Sequence, residues 1–227
     1  MNVTKRIAGR LACVLLLSGL TASWVNAAEE EANTTFDGLV PLEGAAAAMA
    51  YIDPDADFSV FERVAILEPL VAFRSNWQRD QNRSRSRNVR ASDVERIKQD
   101  TAELWKRVFT EQLEAAGFEV VNEAAEDVLV LRPAIIDLDV NAPDVRTTAR
   151  SRTYTASTGA ATLYLQLIDS LTGDVLGRAA DRQVANRAGN FAVQANRVTT
   201  RADAARVFRR WSDKLIEFLD QHYMAAD

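Results

Sequence analysis

The sequence holds little of the side-chain chemistry on which most enzymes and metal proteins depend. Its 227 residues include one cysteine and one histidine, too few for the usual zinc ligand sets and for most nucleophilic active sites. The G-x-S-x-G, Walker and H-E-x-x-H motifs are also missing. We therefore expect a protein that is not an enzyme and that holds no cofactor and no metal ion.

The chain also has fewer basic than acidic side chains. The chain has 27 basic against 32 acidic side chains, a formal net charge of -5. Such a balance argues against non-specific binding to a nucleic acid or to an anionic lipid surface. We expect no nucleic-acid partner, while a protein partner from the cell envelope and a homo-oligomer both remain open.

The first 27 residues have the layout of a secretory signal. Three basic residues precede the apolar run Leu11–Leu20, and a small, polar tail follows it. We expect cleavage near Ala27/Ala28 and export to the periplasm. Lipid anchoring at Cys13 is not expected, because this cysteine stands near the start of the apolar run. The mature chain then lacks cysteine and has no transmembrane segment.

The mature chain is divided into a flexible acidic leader and docking segment, residues 28–50, and a single domain, residues 51–227. A turn is expected over Tyr51–Asp57, where one proline and three aspartates fall close together. The order of strands and helices predicts an α+β fold, namely a mainly antiparallel sheet of four to five strands with two amphipathic helices packed on one face.

Strands are predicted from apolar runs and turn residues. Arg63–Phe73 is mostly apolar, and Pro69 restricts it to an edge position or a bulge. Asp127–Val140 is a long strand interrupted at Pro133. Further along, Ser170–Asp174 is predicted as the loop of a β-hairpin.

Two helices are predicted from apolar residues at three-and-four spacing. Ser92 and Glu95 form a capping box at the start of the first, and Gly117 ends it. The second spans Thr200–Tyr223, with Asp203 completing a similar cap. The predicted core includes Trp105 and Trp211.

Several segments together resemble a known family. They are YIDPDADFSVFERVAILEP, the strand VLVLRPAIIDL, the hairpin DSLTGDVLGRAADRQV and the helix FRRWSDKL. The pattern is similar to a bacterial cell-envelope family, often of lipoproteins, known as domain of unknown function 3313. The resemblance implies an envelope protein and carries over no substrate, cofactor or catalytic residue.

The most unusual local feature is the arginine-rich stretch Arg74–Arg90, which is predicted as a long polar loop. Guanidinium groups bind phosphate and carboxylate in bidentate fashion, although internal pairing or solvation would also explain the loop. Trp77 is either an exposed binding residue or a core residue. Arg146–Thr158 is either an exposed edge or an ordinary loop. The candidate binding residues are Trp77, Arg79, Arg83, Arg85, Arg87, Arg150, Arg152 and Tyr154.

Two other features are better explained without a site. Asp137, Asp139 and Asn141 match the first oxygen positions of a calcium loop, but Ala142 and Thr148 break the pattern. We therefore read these residues as the solvated face of a strand. His222, near the end of the last helix, complements the helix dipole and the exposed carbonyl groups.

These observations favour a non-catalytic envelope protein that binds or assembles with another protein. One alternative is a small-molecule or glycan-binding module that uses Trp77 and the arginine-rich loop. Another is a hydrolase that uses carboxylates alone.

Overall fold

A computed structural model describes residues 35, 37–83, 88–140, 154–155, 157–186, 193–194 and 197–223. Within these residues, no helix is both long and apolar enough to cross a membrane. The predicted signal of residues 1–27, with Cys13 and the cleavage site, lies outside the described residues.

The described residues form ten strands and three α-helices. The helices are α1 Trp77–Arg83, α2 Ala91–Ala115 and α3 Arg197–Tyr223, with a short 3-10 helix at Phe58–Val60. The strands, in chain order, are β1 Val40–Pro41, β2 Met49–Ile52, β3 Arg63–Ile66, β4 Leu70–Phe73, β5 Glu119–Val121, β6 Val128–Val140, β7 Tyr154–Thr155, β8 Ser157–Asp169, β9 Val175–Asn186 and β10 Val193–Gln194. The hairpin loop predicted between β8 and β9 is confirmed.

Eight strands form one mixed sheet. The α+β class is confirmed, but the mainly antiparallel sheet of four to five strands is wrong in size and in strand direction. The order is β1-β2-β9-β8-β6-β3-β5, with β4 also paired to β6. β3 and β4 run parallel to β6, and β5 runs parallel to β3. These parallel pairs arise because α2 carries the chain back between β4 and β5, and a parallel pair needs such a crossover.

Two of the additional strands come from the predicted leader and docking segment, residues 28–50, and from the start of the predicted turn. β2 pairs along β9, and β1 pairs along β2. Leu39, just before β1, is 1% exposed. The described part of the segment 28–50 therefore docks into the sheet, and the predicted turn begins at Asp53 rather than at Tyr51.

Prolines explain how β3, β4 and β6 meet. Arg63–Phe73 is two strands rather than one, and Pro69 lies in the break between them. Pro133 does not interrupt β6, contrary to the prediction. The carbonyl of Leu131 accepts a hydrogen bond from the Leu67 N–H at 3.0 Å. Residue 133 faces the same edge of β6, opposite the break, where a missing N–H costs no ladder hydrogen bond.

The start of α2 differs from the predicted capping box of Ser92 and Glu95. The helix begins at Ala91, and the Asp93 carboxylate accepts the Arg90 N–H at 3.0 Å. This hydrogen bond stabilises the charged carboxylate and lowers the pKa of Asp93. Asp93 thus satisfies the backbone N–H of the N-cap residue Arg90, as the acidic residue of a capping box does. The capping pair lies two positions earlier in the sequence than the predicted pair of Ser92 and Glu95.

The ends of the two long helices give one confirmation and one correction. Gly117 has a φ of 97° just after α2, which confirms the left-handed cap. α3 begins at Arg197, so Thr200 and Asp203 lie inside the helix instead of capping it. Asp203 is 4% exposed and pairs with Arg206.

The main core lies between the sheet and the two long helices. α2 and α3 contact each other and cover one face of the sheet, as predicted. Trp105 and Trp211 are 0% and 2% exposed, which confirms both as core residues. The Trp105 ring stacks on Phe109 with centroids 3.8 Å apart. The two long helices therefore cover one face of the sheet and do not cover the opposite face.

Candidate functional site

The arginine-rich stretch is not the long polar loop that the sequence suggested. Residues 77–83 form α1, and α2 begins at Ala91. Arg74 Nη1 donates to Asp80 Oδ2 at 2.8 Å, and Arg74 Nε lies 2.9 Å from Asp139 Oδ2. The hydrogen bond from Arg74 lowers the pKa of Asp80. At this arginine, the internal pairing that was one of the two sequence alternatives accounts for the charge.

Trp77 is a packed residue and not an exposed one. It is 1% exposed, and its ring stacks on Phe73 with centroids 3.9 Å apart. Its Nε1–H donates to the Val140 carbonyl at 2.9 Å, so the polar edge of the indole is satisfied internally. The ring is therefore closed to an external ligand, which corrects its use as a binding residue.

Replacing Trp77 by phenylalanine is expected to destabilise the protein more than the same change at Trp105. Trp77→Phe leaves the Val140 carbonyl without its donor, whereas the buried Trp105 Nε1 has no partner within the described residues. The additional loss should be about 1–2 kcal/mol in the free energy of unfolding. Urea unfolding of the two variants measures it, and equal losses would mean that the Val140 hydrogen bond adds nothing.

The remaining candidate arginines are only partly covered by the structure. Arg79 and Arg83 are exposed, and with Gln78 and Asn82 they border a shallow, open groove along α1. Arg85, Arg87, Arg150 and Arg152 lie outside the described residues. Tyr154 is on β7, but its side chain also lies outside the description. A site built from these residues stays a prediction.

The sheet face opposite the long helices carries a row of apolar residues that crosses five strands. Partners in the strand register share a face, and the register joins one residue from each strand. In order from β4 to β2 they are Leu70, Ala134, Tyr164, Ala180 and Met49. We call this set the open-face row.

The open-face row is accessible. Leu70 and Met49, at its two ends, are 65% and 54% exposed, and the three residues between them are partly exposed. The row members on β6 and β8 alternate along their strands with core residues, Ala134 with Ile135 and Tyr164 with Leu163 and Leu165. The row is therefore an apolar stripe on solvent, the kind of surface that marks an interaction site.

Two exposed arginines flank the open-face row. Arg132 lies two residues before Ala134 on β6, and Arg182 lies two residues after Ala180 on β9. Within the described residues neither guanidinium forms an ion pair, although Arg132 Nη1 is 3.5 Å from Gln166 Oε1. The neighbouring Arg178 differs, because it pairs with Asp37. The row thus has a basic side chain on each flank.

A buried polar cluster lies on the helix side of the same sheet. Asp181, 8% exposed, accepts from Gln183 Nε2 at 2.7 Å, from Lys214 Nζ at 2.9 Å, from Trp211 Nε1 at 3.0 Å and from the Ala48 N–H at 3.2 Å. Burial alone would raise the pKa of Asp181, but the hydrogen bonds from Gln183 and Lys214 outweigh it and lower the pKa. This carboxylate ties β9 to α3 and to the β1–β2 connection.

The two features that the sequence set aside have structural roles. Asp139 pairs with Arg74, and Asp137 is exposed at a φ of 51° where the β6–β8 register shifts. Asn141 lies outside the described residues. In the described part of the chain, no group of three His, Cys, Asp or Glu residues is placed to hold a metal ion. His222 Nδ1 lies 2.7 Å from the Phe218 carbonyl, the type of contact predicted for it.

Sequence reasoning missed both the open-face row and Asp181. The alternation in AATLYLQLID on β8 places Tyr164 opposite the leucines, which is a usable signal for one member of the row. Met49 gave no signal because its strand was not recognised, and Leu70 gave none because the pairing partners of its predicted strand were not recognised. Asp181 follows Gly177 and Ala179 at period two, so small residues on one side of β9 could have indicated space there.

Within the part of the chain that the structure describes, these features define a two-layer α+β protein with one helix-covered and one open sheet face. The chain belongs to the family described as Protein of unknown function (DUF3313), whose model matches residues 29–215. This confirms the resemblance drawn from the sequence. A comparison with curated proteins finds no significant match.

The solved structures to which this chain is similar include three bacterial proteins. A PelC dodecamer from Paraburkholderia phytofirmans is 12% identical over 70% of this chain and 91% of that chain, with a TM-score of 0.37. A minor lipoprotein from Acinetobacter baumannii is also 12% identical over 70% and 91%, with a TM-score of 0.31. A DUF4136 family protein from Bacteroides thetaiotaomicron is 15% identical over 73% and 95%, with a TM-score of 0.34. At these values the likenesses do not bear on function.

Proposed function

We propose that this protein is a non-catalytic, exported cell-envelope protein that binds another protein through its open sheet face. The observation that carries the proposal is the open-face row, which runs across five strands and ends in two strongly exposed residues, Leu70 and Met49. Export is supported by the signal layout of residues 1–27.

The flanking charges indicate the chemistry of the partner. Arg132 and Arg182 stand on either side of the apolar stripe. A complementary surface would carry an apolar ridge bordered by Asp or Glu side chains. Guanidinium groups at the rim of such a contact steer association and fix the register of the partners. The occupant is thus an acidic protein surface with an apolar centre.

The test reverses these charges in intact cells. The full-length, tagged chain is crosslinked and purified, with the captured proteins identified by mass spectrometry, beside an Arg132→Glu/Arg182→Glu variant. The matched control is Arg209→Glu/Arg210→Glu, which changes two exposed arginines on α3. The proposal expects one protein to be captured by the native chain and the control and to fall at least about fivefold with the open-face variant, since rim charges act mainly on association.

Two outcomes would overturn the proposal. Equal capture by both charge variants would mean that the partner does not meet the open face. Crosslinks between copies of the chain alone would replace the external partner by a second copy.

A further inference from the structure

A pocket of about 160 Å³ lies on the opposite side of the sheet from the open-face row. Its walls come from three parts of the chain. The β1–β2 connection contributes Ala45, Ala46 and Ala47, the sheet contributes residues of β8 and β9, and α3 contributes Trp211, Phe218 and their neighbours. The pocket is therefore separate from the proposed protein contact.

The space exists because small residues face large ones. Gly177 and Ala179 on β9 and the alanines of the β1–β2 connection stand across from Trp211 and Phe218 on α3. Protein interiors usually pack without voids larger than a water molecule. An apolar cavity of about 150 Å³ is large enough to bind a benzene molecule. The pocket thus fits an apolar group of about six to eight heavy atoms.

Lys214 is a polar side chain of the pocket that has donors to spare. Lys214 Nζ donates to Asp181 Oδ2 at 2.9 Å, and Lys214 is partly exposed. An ammonium has three donors, and in the described part of the chain Asp181 takes one of them. The Asp181 carboxylate, in contrast, already accepts from four groups. An acceptor on a ligand would therefore bind Lys214 and not Asp181.

We propose that this pocket binds a medium-chain fatty acid, with the hydrocarbon chain among the alanines, Trp211 and Phe218 and the carboxylate on Lys214. The apolar walls remove the chain from water. The charge-assisted hydrogen bond to the ammonium orients the ligand. The sequence analysis placed a possible small-molecule site at the arginine-rich stretch, whereas this pocket lies between the sheet and α3. The proposal does not depend on the protein partner proposed above.

The test is a titration of the protein, purified from cells that express the full-length chain, with sodium octanoate below its micelle concentration. Trp211 is the tryptophan among the residues that line the pocket, so a change in the tryptophan fluorescence of the protein reports occupancy. Ala47→Leu adds three carbon atoms to a side chain that lines the pocket, whereas Ala48→Leu changes the adjacent exposed alanine, which does not line it. Lys214→Met removes the ammonium and keeps a long apolar side chain, and 1-octanol serves as the uncharged ligand.

The proposal expects saturable binding of octanoate by the native protein. Ala47→Leu should weaken it at least about tenfold and Ala48→Leu less than about twofold, because burial of apolar area supplies most of the affinity. Lys214→Met should weaken octanoate at least about tenfold while leaving octanol nearly unchanged, since the lost contact is charge-assisted. No saturable binding, equal effects of the two alanine variants, or equal effects of Lys214→Met on both ligands would overturn the proposal. If Ala47→Leu does not fold, the native titration and the Lys214→Met comparison decide.

Discussion

A chain carrying both Met49→Glu and Leu70→Glu is expected to lose its protein partner almost completely, with affinity falling by about 100-fold or more. The two side chains are the exposed ends of the open-face row, so in the complex each new carboxylate would be buried against an acidic partner. An unpaired buried charge beside a like charge costs several kcal/mol. Quantitative capture from crosslinked cells measures the loss.

The fold should tolerate these changes, which separates a lost contact from a lost structure. Because Met49 and Leu70 are already more than half exposed, the variant should unfold within about 0.5 kcal/mol of the native chain. Leu171→Glu is the matched control, since Leu171 is 57% exposed in the β8–β9 loop. Retained binding by the Met49→Glu/Leu70→Glu variant, or an equal loss with Leu171→Glu, would contradict the account.

Removing the Asp181 carboxylate is expected to have the largest effect on stability. Asp181→Ala leaves the Trp211 indole N–H, the Ala48 N–H and the Lys214 ammonium without their acceptor. Breaking such a buried pair costs about 3–5 kcal/mol, and the partial exposure of Lys214 reduces the expected loss to about 2–4 kcal/mol. Chemical denaturation gives the free energy of unfolding directly.

The matched control for this prediction lies on the same helix. Asp213 is exposed on α3, and Asp213→Ala should change the free energy of unfolding by no more than about 0.5 kcal/mol. If Asp181→Ala is as mild as Asp213→Ala, the Asp181 cluster does not hold β9 to α3.

The Asp181 contribution should also depend on pH, and the sign follows from its pKa. Hydrogen bonds lower the pKa of the folded carboxylate below its usual value of 3.8. The stabilisation is therefore complete above the unfolded value and is lost as the pH falls through the folded value. The difference in stability between the native chain and Asp181→Ala should be constant near neutral pH and shrink below about pH 4. A difference that grows on acidification would contradict the lowered pKa.

Local patterns were enough to predict much of the fold. The period of apolar residues in the two long helices, the left-handed Gly117 and the β8–β9 hairpin all rest on neighbours close in sequence. They appear in the structure with small shifts at the helix starts, where Asp93 takes the role expected of Glu95. Trp105 and Trp211 entered the core for the same reason.

The sheet order could not be predicted in this way. Whether β3 lies parallel to β6 depends on the path of the chain through α2, and residues 63–66 meet residues 128–131 only in the folded chain. The short strand β2 was not predicted because it follows a run of alanines, which gives no strand pattern. Its place in the sheet is set by pairing with β9. The open-face row was missed because it exists only once five strands are in register.

The candidate site residues also divide into those whose role depends on sequence neighbours and those whose role depends on contacts distant in sequence. Trp77 stands among polar neighbours in the sequence, yet it packs on Phe73 and donates to Val140, which is 63 positions away. The arginine-rich stretch was predicted as a candidate site because its arginines are close together in the sequence. Asp181 is weakly signalled by its sequence neighbours, because three of its four partners come from α3 and the β1–β2 connection and only Gln183 is local.

The central claim, that the open face is the surface on which a partner binds, is tested most directly by site-specific photocrosslinking in intact cells. A photoreactive residue replaces Leu70 in one chain and Leu171 in another, two positions of similar exposure on different parts of the molecule. The account predicts a reproducible crosslink to one acidic envelope protein from position 70 and none to it from position 171. The same product from both positions, or no product from position 70, would contradict it.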